Sequence, residues 1–209
     1  MELGVGQSEP TEVLPNGFLP FLDDWSKDGK YIIARSSDQR SAYALPMTGE
    51  RKPILMVQDS FIRDQFHFSP DSRWVAYNSN ESGRMEVYIA SFPKMDHKHQ
   101  VSTGGGSEPV WRGDGKELYY LTPDGKLMAV DVTAGEDIGT GTPGMLFQTG
   151  LQVNIGVDQY AATSDGKKFL LLDPVSTAAA NATQSQPIHV ILNWDAAIGE
   201  LDGKASNSR

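Results

Sequence analysis

The sequence predicts an all-β protein, specifically a β-propeller built from four-stranded antiparallel blades. The first observation is a short recurring pattern, in which three of four copies place an aromatic residue three positions before an aspartate. These aspartates lie 43, 43 and 51 residues apart. The second observation is that the segments after them are rich in strand-forming residues, while helical patterns are almost absent. A period of about 43 residues with four short strands is typical of a propeller blade.

The repeat divides most of the chain into four blades, the last with three strands, at residues 21–64, 65–108, 109–154 and 155–198. Residues 1–20 are expected to be the outer-strand remnant of a preceding blade, and residues 199–209 a disordered tail. The chain either closes on itself or forms the last part of a larger propeller. A β-sandwich has strands of the same length, but it gives no reason for a fixed period.

The recurring turns are interpreted as structural, because glycine accepts a positive φ and an aspartate side chain bonds the neighbouring backbone. The residues assigned to them are Asp28, Gly29, Asp71, Asp114, Gly115, Asp165 and Gly166. Ser72 replaces the glycine of the second copy, so that turn is expected to be of a different type. A ring of these carboxylates around a metal is disfavoured, because a calcium loop needs oxygen ligands at alternate positions.

Composition excludes several functional classes. The chain has no cysteine, which removes disulfides, thiolate catalysis and cysteine-ligated metal centres. Its formal net charge of -9 argues against nucleic acid as a partner. No apolar run is long enough to span a bilayer, and the N-terminus has neither the basic nor the apolar region of a signal peptide.

No catalytic motif is present. The sequence contains no phosphate-binding glycine loop followed by a strand lysine, no kinase catalytic loop and no nucleophile elbow. The pair His97 and His99 flanks a lysine and has no evident third ligand for a metal. We therefore assign no catalytic, cofactor-binding or metal-binding residue and predict that this segment is not an enzyme.

Binding is expected on the loops of a propeller face, since recognition residues commonly lie on loops held by a rigid scaffold. Three loops are candidates, at residues 35–40, 78–84 and 123–126. The candidate binding residues on them are Arg35, Arg40, Asn80, Glu81, Arg84 and Asp124.

The turn of the Ser-Pro-Asp-Gly type with its preceding aromatic resembles the TolB-like family of WD-repeat-like propellers. A closer resemblance covers about residues 20–195 and rests on segments such as 68–77, 109–118 and 190–194. These segments are similar to the propeller region that ends many bacterial eukaryotic-like serine/threonine protein kinases. In that family a cytoplasmic kinase domain is usually followed by a membrane span and then a propeller. The resemblance implies upstream blades, a kinase outside this chain and an extracytoplasmic (periplasmic) location; without it, the cytoplasm is expected.

The sequence thus predicts a non-catalytic module for recognition of a protein or small-molecule ligand on a propeller face, in the C-terminal sensor region of a bacterial kinase. The alternative is a propeller segment associated with a hydrolase or peptidase whose catalytic domain lies elsewhere. No cofactor is expected. Because an open propeller exposes a strand edge and an apolar sheet face, either upstream blades or a homo-oligomer should complete the ring.

Overall fold

The computed structural model describes residues 21–152, residues 157–172 and the strand at 188–192. All regular secondary structure in these ranges is β, which confirms the predicted class. The expected strand remnant at 1–20 and tail at 199–209 lie outside the described residues. In the part of the chain that the structure describes, no helix could cross a membrane.

The strands form four antiparallel sheets in chain order. The first contains β1 (Phe21–Trp25), β2 (Tyr31–Arg35), β3 (Ser41–Pro46) and β4 (Ile54–Gln58). The second contains β5 (Arg63–Phe68), β6 (Trp74–Ser79), β7 (Glu86–Ser91) and β8 (Lys98–Gln100). The third contains β9 (Ser107–Trp111), β10 (Glu117–Leu121), β11 (Lys126–Ala134), β12 (Ile138–Thr140) and β13 (Gly144–Gln148). The fourth contains β14 (Tyr160–Ala162), β15 (Lys168–Leu172) and β16 (Ile188–Leu192).

The apolar core lies between adjacent sheets, in three separate clusters. Strand β6 is buried along its whole length because it contributes to two of them. Val75 and Tyr77 pack towards the first sheet, while Trp74 and Ala76 pack towards the third. Side chains of a strand alternate between its two faces, so a run of apolar residues fits a strand that is covered on both sides.

The first strand of each sheet lies nearest the centre around which the four sheets are arranged, since β1 contacts β5, β5 contacts β9 and β9 contacts β14. Each of these inner strands runs into the recurring aspartate turn. The antiparallel pairing therefore puts the four aspartate turns on one face, which we call the turn face. The opposite face, which we call the loop face, carries the starts of the inner strands and, in the first three sheets, the loops that join the second and third strands.

Irregularities interrupt three of the inner strands near the loop face. The register with the second strand shifts between Leu22 and Asp24 in β1, and between Asp64 and His67 in β5. The pairing of β9 with β10 shifts in the same way. Gln65 and Glu108 take positive φ angles of 53° and 55° at these points. A bulge re-aims the side chains next to it, so these positions can turn polar groups towards the axis.

Candidate functional site

The recurring turns use their aspartates to hold the backbone. In all four, Oδ1 of the aspartate accepts the N–H of the residue two positions later, at 3.0–3.1 Å. A hydroxyl from Ser26, Ser69 or Thr163 also donates to Oδ1 in three copies, and Arg112 replaces that hydroxyl in the third. Hydrogen bonds from Ser26 and Lys30 lower the pKa of Asp28 to about 2.

The expectation for Ser72 is wrong. Its φ of 57° lies in the left-handed region, as do the φ angles of 72° at Gly29, Gly115 and Gly166. Its N–H donates to the carbonyl of Ser69 at 2.9 Å, which is the same turn hydrogen bond that the glycine copies make. The aspartate carboxylate and the turn hydrogen bond therefore occur with the same backbone conformation whether glycine or serine occupies this position.

The predicted binding loops lie on the loop face. Arg40, Arg84 and Asp124 are exposed there. Asn80 and Glu81 are partly buried and engaged in the fold: the Asn80 side chain accepts the N–H of Ile62 at 2.9 Å, and Glu81 pairs with Arg63 and Lys98.

Arg35 departs from its predicted position. It ends β2 rather than lying in a loop, and only 5% of it is exposed. Its guanidinium pairs with Asp23 and Asp64, each at 2.7 Å. The two carboxylates draw the side chain inwards towards the axis and away from the surface.

Arg35 belongs to a group of polar side chains around the inner strands, which we call the axial cluster. Its charged or titratable members come from β1, β2, β5, β9 and the segment before β14, and two glutamines join them. The cluster consists of Asp23, Asp24, Arg35, Asp64, Gln65, His67, Glu108, Asp158 and Gln159. Apart from Arg35, none of these residues is among the candidate binding residues selected from the sequence.

Several atoms of the cluster and its neighbours are buried without a hydrogen-bond partner in the described part of the chain. They include Oδ2 of Asp23, Nη1 of Arg35, Oδ2 of Asp64 and both polar atoms of the Asn78 amide. Burying an unpaired polar group costs free energy, so such groups normally have partners. Their concentration at one place marks a position where water or a ligand can bind.

Hydrogen bonds across the axis link three sheets. The Nε2 of Gln65 donates to the carbonyl of Val157 at 3.1 Å and to Oδ1 of Asp158 at 3.0 Å. The Oε1 of Gln65 accepts the N–H of Glu108 at 3.1 Å. Glu108 in turn accepts the backbone N–H and the side-chain amide of Gln159 at 2.6 and 2.9 Å. The positive φ at Gln65 and Glu108 thus serves a network that fixes the sheets around the axis.

Burial shifts the pKa values of the titratable groups in the cluster. It raises the pKa of Glu108 to about 7, and it raises the pKa of Asp23 to about 6 although Arg35 opposes the shift. Burial also opposes protonation of His67, but the carboxylates of Asp158, Asp24 and Asp23 raise the pKa of this imidazole. Burial opposes ionisation of Asp158, yet His67 lowers the pKa of that carboxyl. The cluster therefore holds more carboxyl groups than it has cations to neutralise.

A cavity of about 420 Å³ adjoins the cluster between β5, β9 and the fourth sheet. His67 and Asp158 form its polar end, and Tyr160, Leu170 and Leu172 are among its apolar walls. A second depression of about 870 Å³ lies on the turn face between the second and third sheets. Its arginines are already paired, Arg73 with Asp71 and Arg112 with Asp114, at 2.7 and 2.8 Å.

The arrangement can bind a ligand through charge and hydrogen bonds. Among residues 21–152 and 157–172, no three histidine or acidic side chains are grouped so that they could hold a metal ion. One regularity in the sequence points to the cluster: Gln65, Glu108 and Gln159 each lie six residues before the aspartate of their turn. A polar residue at the same repeat position, near the start of three successive blades, is the signal that would have found them.

No protein-family model matches this sequence, and no curated protein matches it significantly. Several solved structures, in contrast, match its fold. TolB from Acinetobacter baumannii has a TM-score of 0.55 and 15% identity, over 85% of this chain and 41% of that one. A protein assigned as a TolB from Agrobacterium tumefaciens has a TM-score of 0.50 and 18% identity, over 60% of this chain and 50% of that one. A puromycin-hydrolyzing peptidase of Mycobacterium tuberculosis has a TM-score of 0.61 and 18% identity, over 81% of this chain and 31% of that one.

These similarities concern the fold. Together with the four antiparallel sheets, of which the first two have four strands and the third has five, they confirm the prediction of a β-propeller with a fold like that of TolB. The chain spans half or less of the length of each of these proteins. A likeness of the fold does not carry a function with it.

Proposed function

We propose that this chain is a non-catalytic β-propeller module that binds a protein or small-molecule ligand on its loop face. The observation that supports the proposal is the axial cluster, in which the buried side chains of Asp23, Arg35 and Asp64 keep atoms that have no hydrogen-bond partner among the described residues. Packing alone gives no reason to bury such atoms, since an apolar side chain would cost less. A ligand that enters from the loop face would satisfy them.

The turn face supports binding less well. Its arginines are paired within their own turns, and the turn carboxylates are occupied by backbone N–H groups. A ligand there would have to break these bonds before forming its own. The loop face instead carries Arg40 and Arg84 as exposed charged side chains. Its exposed Asp124 is paired with Lys126 within its own turn, at 2.7 Å, and so resembles the turn-face carboxylates.

The first test is site-specific photo-crosslinking in cells that produce the protein. A benzophenone amino acid replaces Arg40 on the loop face and, as the matched control, Lys116 on the turn face; both positions are exposed. We expect a discrete crosslinked product from position 40 and none from position 116. Equal products from both positions, or products from position 116 alone, contradict the proposal.

We further propose that the module is the C-terminal sensor region of a bacterial serine/threonine kinase, with the propeller outside the cytoplasm and upstream blades in the same polypeptide. The support is the resemblance of segments 68–77, 109–118 and 190–194 to the propellers of such kinases. The genomic reading frame tests this proposal. Kinase motifs followed by an apolar span upstream of residue 1 are the expected finding, and a stop codon directly upstream contradicts it.

A second candidate is a propeller that accompanies a hydrolase. It is favoured by the similarity to the puromycin-hydrolyzing peptidase, in which this chain matches 31% of a longer protein. A nucleophile elbow downstream of residue 209 in the same reading frame would support this candidate. Its absence from the complete frame, together with kinase motifs upstream, would remove it.

A further inference from the structure

An open groove of about 450 Å³ borders the second sheet beside the loop face. Its residues come from the connection between β4 and β5, the loop between β6 and β7, and the strands β7 and β8. They are Phe61, Glu81, Ser82, Tyr88, Lys98 and Gln100. None of them belongs to the axial cluster or to the first or fourth sheet. The volume lies within the range of small-molecule sites, about 300–1,000 Å³.

Phe61 presents an aromatic ring to this groove and is 39% exposed. Most of the other exposed large apolar side chains belong to the first and fourth sheets, where further blades or a second copy would cover them. Phe61 lies instead beside the second sheet, so completion of the ring of blades gives no reason for its exposure. The guanidinium of Arg63 lies over the aromatic ring, 5.9 Å from its centroid. A ring that is anchored in this way can offer its remaining surface to a ligand.

The backbone around Phe61 is held in place. The N–H of Phe61 donates to Oδ1 of Asp59 at 2.9 Å. The N–H of Ile62 donates to the side chain of Asn80 at 2.9 Å, and the N–H of Asn80 donates back to the carbonyl of Ile62 at 3.2 Å. These bonds tie the two loops that border the groove. A preorganised site loses little conformational entropy when it binds a ligand.

The charges of the groove compensate one another. Glu81 pairs with Arg63 at 3.0 Å and with Lys98 at 2.7 Å. Arg63 also pairs with Asp59 at 2.6 Å. The two acidic and two basic side chains therefore leave no net charge among them. A charged ligand would have to displace one of these partners, so the groove favours a neutral ligand.

Hydrogen-bonding groups with spare capacity surround the aromatic ring. The ammonium of Lys98 has three N–H groups and uses one of them for Glu81. The Nε2 of Gln100 donates to a backbone carbonyl at 2.7 Å, and the Oε1 of this exposed side chain is an acceptor. The hydroxyl of Ser82, also exposed, can donate or accept. Mixed donors and acceptors of this kind suit the hydroxyl groups of a ligand, which do both.

We propose that this groove binds a neutral saccharide, with one pyranose ring stacked on Phe61 and its hydroxyl groups bonded to Lys98 and Gln100. A pyranose has an apolar face of C–H groups and a rim of hydroxyl groups, which matches an aromatic ring within a polar border. The groove shares no residue with the axial cluster, so the inference goes beyond the proposed function and does not depend on it. The pyranose is either a free monosaccharide or a unit of a polysaccharide.

Saturation-transfer difference NMR of the whole chain tests the proposal. The probes are methyl β-glucopyranoside, for a single pyranose, and cellotriose, maltotriose and triacetylchitotriose, for a chain. Sorbitol is the control, because it has similar hydroxyl groups but no rigid C–H face. We expect saturable transfer to the ring C–H protons of at least one pyranose probe and none to sorbitol. Equal affinities for the glucoside and the trisaccharides assign the site to a single sugar, and tighter binding of a trisaccharide assigns it to a polymer.

Variants locate the site. Phe61→Leu keeps an apolar side chain but removes the ring, and should weaken binding about fivefold or more. Gln100→Ala, at an exposed position, should weaken it by a similar factor through the lost hydrogen bond. Trp25→Leu is the matched control, because it removes an aromatic ring that is 50% exposed outside the groove, and it should leave the affinity unchanged. Melting temperatures of all variants show whether a loss of binding comes from unfolding.

The outcomes separate the inference from the proposed function. If no pyranose probe binds, if sorbitol binds equally well, or if Trp25→Leu weakens binding as much as Phe61→Leu, the inference is overturned. Crosslinking at position 40 together with no saccharide binding leaves the recognition function standing and removes only the saccharide. Saccharide binding that Phe61→Leu abolishes supports the inference, whatever the crosslinking experiment shows.

Discussion

At the scale of single residues, Glu108 shows how the repeat supports a polar axis. It is fully buried, it takes a positive φ, and its carboxylate is bonded to Gln159 of the next sheet. A glutamate at this position is poorly explained by the stability of β9 alone, because a buried carboxylate loses its hydration. The position makes physical sense as part of a network that crosses the axis.

The titration of Glu108 gives a test at this scale. Burial raises its pKa from 4.5 to about 7, so the folded state keeps the proton that the unfolded state loses as the pH rises through this window. The stability that this retained proton contributes is present in full below the pKa of 4.5 in the unfolded state. It is lost as the pH rises through the pKa of about 7 in the folded state. The loss is on the order of 3 kcal/mol, because one pKa unit corresponds to about 1.4 kcal/mol.

Glu108→Gln removes this dependence. Urea denaturation between about pH 4.5 and pH 7.5 measures the free energy of unfolding. With rising pH this free energy should fall more for the native protein than for the variant, by up to about 3 kcal/mol. Glu50→Gln, at an exposed side chain paired with Lys52, is the control and should follow the native curve. Parallel curves for the native protein and Glu108→Gln would contradict the assignment.

At the scale of elements, the aspartate turn is the unit that repeats most faithfully. One carboxylate, one positive φ and one turn hydrogen bond recur in all four copies, although the residues around them change. Ser72 shows that the turn tolerates a side chain in the left-handed region. Because L-residues adopt this region at a cost of roughly 1–2 kcal/mol, the second turn is less stable than its neighbours.

A reciprocal pair of substitutions tests this difference. Ser72→Gly should stabilise the protein by about 1 kcal/mol or less, since glycine relieves the strain but adds freedom to the unfolded chain. Gly115→Ser should destabilise it by about 1 kcal/mol; a Cβ there meets only Pro70, at 3.4 Å, so the effect reports backbone strain. Chemical denaturation measures both. Equal signs for the two changes would show that packing, rather than φ, decides the stability of the turn.

At the scale of the whole molecule, the two terminal sheets, the first and the fourth in chain order, keep large apolar side chains exposed. In the first sheet, Leu22, Trp25 and Leu55 are 62%, 50% and 51% exposed. In the fourth, Leu170 and Leu172 are also exposed. Large apolar side chains concentrated on terminal sheets favour association with further blades or with a second copy.

Light scattering at several protein concentrations tests association of the chain by itself. We expect a mass above that of the monomer that rises with concentration. The pair Leu22→Glu and Leu55→Glu should return the mass to that of the monomer, because charge opposes burial of this surface. The pair Thr133→Glu and Ala134→Glu, at exposed positions of β11, is the control and should leave association unchanged. A monomer at every concentration contradicts the expectation.

The predictions made from the sequence agree with the structure where a feature depends on residues that are close together in the chain. The aspartate turns and the strand-forming segments follow from contacts within a few residues, and their period is read directly from the sequence, so the sheets could be predicted. Arg35 was expected in a loop from its place beside a polar segment, but two carboxylates from β1 and β5 draw it inwards. Ser72 was expected to change its turn, but Asp71 accepts the same backbone N–H as the aspartate of every other copy, and the backbone keeps the same conformation.

The sequence by itself determined a propeller of antiparallel blades with structural aspartate turns and no thiol chemistry, because those properties depend on local propensity, period and composition. Only the tertiary structure decided that Asp23, Arg35, Asp64 and Asp158 meet at one axis. These residues are up to 135 positions apart in the chain. Bulges in the inner strands re-aim the side chains beside them, and a bulge depends on pairing between strands rather than on residue type.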